Sequence, residues 1–514
     1  MPFNRESYKQ IATQGFFSEY LPPCFFLDKK VLNYVPPENC DIIQPYCFTM
    51  SKYDQADSRR NIYIPELGSY LVLHEYMWNN NLLKELIDFT KSEDYSFSPV
   101  INQQGQIYRF EQSYGQTEEV LEESFEICSD YIENISKKII KATGAKLILK
   151  LDISNFYGAI YTHLIPAIIM GYESADSEYR QSQKVENLSP TYEKYSKLDK
   201  LVRRMNSNQT NGLLAGPFVS RLISEALLTR IDKEIKSENI RFVRYVDDYE
   251  IFVFDDNTET TKSKIDLILR KYNLTINNEK TREEKFPYYI NKNLNKLFTD
   301  LHIDEFDNEH LMDMFNSFFT LENKGTKGAI RFLLKSLEKN PIDISDSELY
   351  KAYLLTILQN NKRSLIKACQ ILIEKKSENF CINDKDITLI KKILLRSLQQ
   401  INDLEVIWLL YLLIEIEGIE RDDDIIIRIC SSKNELAQVM LLRKGFISQD
   451  LKQTMKSSST SWILNYELFS ENIITEDEFK EKLTIHQNLN MYNKLKQNGI
   501  HFCEFYQTNW NGRR

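Results

Sequence analysis

The chain has 514 residues, room for two to four domains of about 100–200 residues each. Its 42% apolar and 27% charged content, with only 15 glycines and 13 prolines, describes an ordered globular protein and excludes collagen-like, low-complexity or largely disordered chains. With 65 basic against 74 acidic residues the net charge is −9, so a broad basic face for duplex nucleic acid is not guaranteed and a basic surface would be a local groove.

Residues 1–145 mix proline-rich aromatic loops (Leu21-Pro-Pro, Val35-Pro-Pro) with apolar periodicity that predicts helices over 70–91 and 118–141. Residues 146–295 alternate strand and helix patterns. From 296 to 514 strand signals almost vanish. That region reads as amphipathic helices over 329–339, 347–359, 362–375, 386–400, 404–417, 435–444, 462–469 and 476–485. Paired helices of this length point to a HEAT-like solenoid, with an irregular helical bundle as the alternative. The eight cysteines form no C-x-x-C pair and have no histidine at zinc-ligand spacing, as expected of scattered buried thiols in a reducing compartment. The first ten residues hold no apolar stretch of the secretory kind. The longest apolar run, 406–414, is closed by Glu405 and Glu415, far short of the ~20 residues of a membrane span. A soluble, cytoplasmic protein without membrane attachment is expected.

The chemistry concentrates in the middle. The apolar run 146–152 ends in Asp152 and continues Ile-Ser-Asn-Phe-Tyr157-Gly158. Alone, such an acid means little, because aspartate often begins a turn or caps a helix. Residues 241–254 read as two β-rich runs around Asp247-Asp248, a hairpin with both acids at its tip. A polar turn is the ordinary explanation, but adjacent acids in so apolar a setting repel each other unless cations hold them. Neighbouring strands lie about 4.8 Å apart, so Asp152 can stand beside Asp247 if the two segments pair. Carboxylates so placed can hold two Mg²⁺ ions about 3.5–4 Å apart, the arrangement of nucleotidyl transfer.

Four segments carry a resemblance. Asp152-x4-Tyr157, Gly212-Leu-Leu-Ala-Gly216-x3-Ser220, Tyr245-Val-Asp247-Asp248 and Leu274-Thr-Ile-Asn-Asn-Glu-Lys280-Thr281 resemble, in order, motifs A to D of the reverse-transcriptase palm. With Arg59-Arg60 ahead of Ile64-Pro65, Tyr161-Thr-His163, Arg244-Tyr-Val-Asp-Asp and Lys327-Gly-Ala-Ile330, the chain is similar to the abortive-infection (AbiK-like) reverse-transcriptase-like polymerases of bacterial antiphage defence. The resemblance implies an α+β fingers/palm followed by an all-α HEAT-like domain, divided as 1–145, 146–295 and 296–514. It implies a metal triad of Asp152, Asp247 and Asp248 holding two Mg²⁺, with Mn²⁺ as a substitute. Tyr157 matches the steric gate that favours deoxynucleotides, a core aromatic being the alternative. Lys280 matches a lysine that neutralises or protonates departing phosphate, a solvated surface lysine being its alternative. Arg59 and Arg60 match triphosphate contacts, and either could be a structural ion pair instead. His163 is left out of the site as a packing residue.

Gly212, Ala215 and Gly216 occupy the nucleotide-positioning loop. There the templating enzymes have Leu-Pro-Gln-Gly and this chain has Leu213-Leu-Ala-Gly216, so the amide that helps position nucleotide and template is missing. No basic stripe follows the palm, only acidic runs such as 304–309 and 421–424, read as solvated loops. Members of the family make DNA without a template, attach it to one of their own tyrosines and form homo-oligomers. The expected partners are therefore dNTPs, a covalently attached single-stranded DNA, further copies of the chain and a phage or host trigger. The N-terminal tyrosines 8, 20, 34, 46 and 53 are the candidate primers, and Tyr8, near the terminus, is preferred although it could equally pack within a helix. Two other readings stand beside this one. They are a template-directed reverse transcriptase with a dedicated RNA, and a helical-repeat scaffold that senses a phage component.

Overall fold

The computed structural model describes residues 4–51, 58–102, 106–113, 127–184, 187–255, 257–288, 294–303, 305–339, 343–344, 346–375 and 380–505. The N-terminal region opens with α1 (Arg5–Gln14), capped by the Asn4 side chain, which accepts from the Ser7 N–H at 2.9 Å. Strands β1 (Tyr46–Ser51) and β2 (Arg59–Ile64) form an antiparallel hairpin. The helix expected over 70–91 is two, α2 (Leu67–Asn79) and α3 (Leu82–Thr90). Between them Asn81 takes the left-handed conformation that asparagine tolerates, at φ 56°, and turns the chain. The helix expected over 118–141 is also shorter. Residues 118–126 lie outside the described residues, and 127–130 is strand β4 (Ile127–Asp130), paired in parallel with β3 (Tyr108–Ser113) before α4 (Tyr131–Lys141) begins. A tertiary pairing partner outweighs local helix pattern there.

The middle region builds one antiparallel sheet from β5 (Leu147–Asp152), β6 (Arg241–Tyr245), β7 (Asp248–Val253) and β8 (Arg282–Lys285), in the order β6-β7-β5-β8. Helices α5 (Phe156–Ala159), α6 (Ala167–Met170), α7 (Tyr172–Ser182), α8 (Pro190–Met205), α9 (Phe218–Ser237) and α10 (Thr258–Lys271) complete it. Alternation along the strands sends Leu147, Leu149 and Leu151 into the main core together with Tyr249 and Ile251. Ile148, Val243 and Phe252 face the other way, into a small core with Phe97 and Ala142 beside α4. Asp152 and Asp248 are in phase with that second face.

The last region is helical, apart from the two-residue parallel pair β9 (Glu305–Phe306) and β10 (Asp343–Ile344). It contains α11 (Leu294–Leu301), α12 (Asn308–Asn323), α13 (Ala329–Lys339), α14 (Ser347–Asn360), α15 (Leu365–Lys375), α16 (Asp384–Gln399) and α17 (Asp403–Glu415). Then come α18 (Asp424–Cys430), α19 (Glu435–Lys444), α20 (Gln449–Ser458), α21 (Trp462–Ser470), α22 (Glu476–Leu483) and α23 (Leu489–Gln497). Successive helices pack as pairs, α12 on α13, α14 on α15 and α16 on α17. The odd members α13 to α21 follow one another in one layer, and α12 to α20 in the other. This is the two-layer stacking of a solenoid.

The apolar run at 406–414 lies in α17, buried on every side, as an all-round apolar helix must be. Among the described residues no helix is long and apolar enough to cross a membrane. Cys24, Cys40, Cys369, Cys430 and Cys503 are buried free thiols as expected, whereas Cys47 and Cys381 are exposed, and the Cys128 side chain lies outside the described residues.

The solenoid is seated on the N-terminal region. Trp408 Nε1 donates to the Tyr20 carbonyl at 2.7 Å, and Asp403 Oδ2 accepts from the Thr49 N–H at 2.9 Å. The Glu435 N–H donates to Tyr46 Oη at 3.1 Å. The fully buried Glu66 carboxylate accepts from Asn488 Nδ2 at 2.9 Å and Tyr492 Oη at 2.7 Å. Buried polar groups on both sides thus satisfy one another, as burial requires.

Candidate active site

The register of β5 against β7 sets Asp152 directly opposite Asp248. The register of β6 against β7 sets Tyr245 opposite Asp248, leaving Val246 and Asp247 as the two residues of the turn. The sequence reading placed Asp247 beside Asp152 across the strands. It is Asp248 that stands there, with Asp247 one residue away in the turn. The three carboxylates therefore share one sheet edge, where Asp152 is buried, Asp247 half-buried and Asp248 open on its solvent side.

Their electrostatics are those of crowded like charges. Burial, then the Asp152 charge, pushes the Asp247 carboxyl above its ordinary range, against the milder pull of Arg60 and Lys280. The Asp248 carboxyl is pushed up to about 7, first by loss of water on its sheet side and then by Asp247 and Asp152. Asp152 has the compensating contacts. Its Oδ2 accepts from Asn277 Nδ2 at 3.0 Å and lies 3.1 Å from Lys280 Nζ. Despite some loss of water, Lys280 holds its proton more firmly than usual, because Asp152, Asp248 and Asp247 surround it.

Hard oxygen donors that repel one another are the donor set a divalent cation neutralises, so the residues fit Mg²⁺ or Mn²⁺. Among the described residues no three acidic, imidazole or thiol side chains are already drawn into ligating geometry. Lys280 and Asn277 occupy Asp152 instead.

Lys280 is thus exposed, as its alternative reading expects, and at the same time paired with Asp152. The sequence reading missed Asn277, although it sits three residues ahead of Lys280 in the segment already singled out. Its N–H also donates to the Asp152 carbonyl at 2.8 Å, and Ile276 bridges Ile153.

Tyr157 follows β5 at the start of α5, half-buried, its ring edge-on to Phe156 at 5.5 Å and its hydroxyl accepting from Ser224 Oγ at 3.4 Å. Its phenol is raised mainly by burial, with a smaller contribution from the Asp247 charge.

The loop 212–216 straps this ring to the β1–β2 hairpin. The Leu213 N–H donates to the Tyr157 carbonyl at 2.8 Å, and the Ala215 carbonyl accepts from the Tyr63 N–H at 2.7 Å. Gly212, at φ +90°, lies where a Cβ would stand 3.3 Å from Gly158 Cα. Gly216, at φ +135°, lies where a Cβ would meet the Tyr63 carbonyl at 2.6 Å, so only glycine fits.

Arg59 and Arg60 divide between the two faces of β2, as neighbours on a strand must. Arg60 is exposed and its charge acts on Asp247, whereas the charge of Arg59 acts on Asp403 of α17. Of the two, Arg60 is the one whose charge reaches Asp247.

Tyr8 does not join the site. The residue expected near a mobile terminus is a buried member of α1, its ring stacked on Trp78 at 4.9 Å. Of the other tyrosines, Tyr46 is buried, Tyr20 and Tyr34 are half-buried, and Tyr53 lies outside the described residues. His163 packs as expected, its Nδ1 2.8 Å from Asp199, which also pairs with Arg203 at 3.1 Å. The acidic runs are more than solvated loops. Asp307 caps α12 by accepting from the His310 N–H, and Asp423 pairs with Lys391 at 2.6 Å.

No family model matches the chain, and no curated protein matches it. Among solved structures it is similar to apo telomerase from Candida tropicalis, at 13% identity and a TM-score of 0.32 over 78% of this chain and 68% of that one. Telomerase from Candida tropicalis in complex with a TWJ fragment of telomeric RNA gives 14% and 0.30 over 74% and 65%. The corresponding Candida albicans complex gives 13% and 0.29 over 73% and 64%. The chain spans 64–68% of the length of those three telomerase chains, and at these TM-scores the likeness settles nothing about the site.

Proposed function

We propose that the chain is a reverse-transcriptase-like nucleotidyltransferase, and more narrowly a protein-primed, template-independent DNA polymerase of abortive-infection antiphage defence. The observation that carries the reading is Asp152 opposite Asp248 across β5 and β7, with Asp247 in the adjoining turn, all three crowded enough to need cations. Asp152, Asp247 and Asp248 would hold two Mg²⁺ ions, which when bound activate the attacking hydroxyl and stabilise the leaving pyrophosphate.

The remaining roles fall to neighbouring side chains. Arg60 supplies a guanidinium fork for triphosphate oxygens on the side of Asp247. Tyr157, fixed by Phe156, Ser224 and the strap 212–216, closes the space a ribose 2′-hydroxyl would need. Lys280 holds a proton at Nζ beside Asp152, available to the departing phosphate. In the priming step a tyrosine oxygen bonds to the α-phosphorus of a dNTP. The bond to pyrophosphate breaks, and the phenolic proton leaves to a base or solvent. If Tyr8 is that tyrosine, α1 has to leave its seat on Trp78 first. Ala215 supports the untemplated reading, since its backbone carbonyl is engaged with Tyr63 and its methyl group replaces an amide.

The test is intact-mass spectrometry on full-length protein purified from bacterial cells, with and without DNase, beside Asp247→Ala. A heterogeneous, DNase-sensitive mass increase absent from Asp247→Ala is expected, and peptide mapping then names the tyrosine. The reading fails if dNTPs and Mg²⁺ leave the purified protein unmodified while an added primer and template are extended. The template-directed reverse transcriptase would then take its place.

A further inference from the structure

Val246 sits in the turn between the strands that carry Tyr245 and Asp248, at φ +55°. A β-branched residue in the left-handed region is strained and persists only where its surroundings hold it. Both ends of its backbone are held. The Val246 N–H donates to Ser98 Oγ at 2.9 Å, and the Val246 carbonyl accepts from Arg244 Nη1 at 2.8 Å. Ser98 is buried and comes from outside the sheet, in a segment that runs along β6. There the Phe97 N–H donates to the Arg244 carbonyl at 2.7 Å, and the Arg244 N–H donates to the Tyr95 carbonyl at 2.9 Å.

Arg244 is wholly buried and all five of its side-chain N–H groups are used. Nη1 and Nη2 each donate to Glu225 at 2.9 Å, Nη2 and Nε donate to Asp232 at 2.7 and 3.0 Å, and the remaining Nη1 hydrogen goes to Val246. Glu225 and Asp232 lie seven residues apart and so project from one face of α9. Tyr249 Oη donates to Asp232 at 2.9 Å. A rigid path therefore leads from α9 through Arg244 to one side of the Val246 peptide, and a second leads from the 95–98 segment through Ser98 to the other.

We propose that Ser98 and Arg244 are positioning residues for the cation site, clamping Val246 in its left-handed conformation so that Asp247 and Asp248 present their carboxylates together with Asp152. This rests on the metal-binding reading of those aspartates. A return of Val246 to ordinary φ would swing the following residue, Asp247, and separate the carboxylates. The clamp touches neither nucleotide nor metal, so its effect is on cation affinity.

Arg244 variants strand two buried carboxylates and are expected to unfold, so Ser98 carries the test. Mn²⁺ binding to nucleotide-free, full-length protein is read from the electron paramagnetic resonance signal of free Mn²⁺, with thermal unfolding run in parallel. Wild type is expected to bind and Asp247→Ala to lose that binding. Ser98→Ala should raise the half-saturating Mn²⁺ concentration by roughly three- to tenfold, the effect of one lost hydrogen bond. Adding Val246→Gly to Ser98→Ala should restore affinity, because glycine takes the left-handed conformation without being held. The proposal is overturned if Ser98→Ala binds Mn²⁺ as wild type does, or if Val246→Gly recovers none of the loss. Wild type binding no better than Asp247→Ala would instead overturn the metal reading beneath it.

Discussion

The sheet edge at Asp152 and the helical region beyond residue 294 treat their polar groups in opposite ways. In the solenoid seven helices, α12, α14, α16 and α19 to α22, start with a cap side chain that accepts from a backbone N–H. Asp346 accepts from two N–H groups of α14, Asn383 and Asp386 close a capping box on α16, and Thr475 and Glu478 close another on α22. Charges there come in pairs, such as Lys367 with Glu338 at 2.7 Å and Lys391 with Asp423 at 2.6 Å. At the sheet edge three carboxylates crowd together, and a valine is held at positive φ between them and β6. The crowding of like charges is what sets the sheet edge apart, since β-branched residues at positive φ occur in both regions, Val246 here and Ile401 and Thr484 in the solenoid.

The largest expected effects separate the two regions. Trp408 of α17 is buried and ties the solenoid to Tyr20 through its indole N–H. Trp408→Ala should cost about 3–5 kcal/mol of stability by cavity formation and loss of that bond. Asp247→Asn should leave thermal stability equal or higher in metal-free buffer, since it removes one of three repelling carboxylates, and should abolish nucleotidyl transfer. Thermal unfolding and a dNTP incorporation assay on both variants check this. Loss of fold in Asp247→Asn, or an unchanged melting temperature in Trp408→Ala, would break the division.

Legibility in the sequence follows the same line. The solenoid helices show in their apolar periodicity, and 435–444 and 329–339 match observed helices at both ends. Helices α12, α18, α20 and α23 are not among the expected ones, and length is not the reason, since α12 has 16 residues and α19, α21 and α22 are as short as the rest. Asp152, Asp247 and Asp248 are legible because they end an apolar strand or sit at a hairpin tip, whereas Tyr157 and Lys280 are reached only through the resemblance to the reverse-transcriptase motifs. Strand β8 is not legible. Its sequence, Arg-Glu-Glu-Lys, has little strand propensity and is recruited by backbone pairing with β5 and by the Lys150–Glu284 ion pair at 2.7 Å. Ser98 and Tyr63 touch the site loops only through long-range contacts, which no spacing encodes. Nor does sequence order tell which of two adjacent arginines faces the carboxylates.

That last pair sharpens the comparison, because Arg59 and Arg60 stand at the border of the two regions. Arg60→Ala should raise the KM for dNTPs about tenfold, the worth of one charge-assisted hydrogen bond. It should leave the melting temperature unchanged. Arg59→Ala should leave KM unchanged and cost less than about 1 kcal/mol of stability, since the Arg59 charge acts on Asp403 at a partly exposed position. Steady-state kinetics with thermal unfolding of both variants decide it. An equal rise in KM for the two would mean that β2 does not divide them.

A further effect concerns pH. Asp248 titrates near 7 in the folded protein against an ordinary 3.8, first through burial and then through Asp247 and Asp152. The folded state then binds this proton more tightly than the unfolded state, so stability falls as pH rises between those two values and levels off above about 7. Asp248→Asn removes the dependence. In metal-free buffer the variant should melt with wild type at the acid end of that window and a few degrees above it at the alkaline end. Saturating Mg²⁺ should shrink the gap, because a bound cation offsets the repulsion that raises the carboxyl. Melting curves across the window, with chelator and then with Mg²⁺, give the answer. A gap independent of pH would mean that Asp248 is ionised without a cation, and that the crowding at the sheet edge is relieved by Lys280 and Arg60 alone.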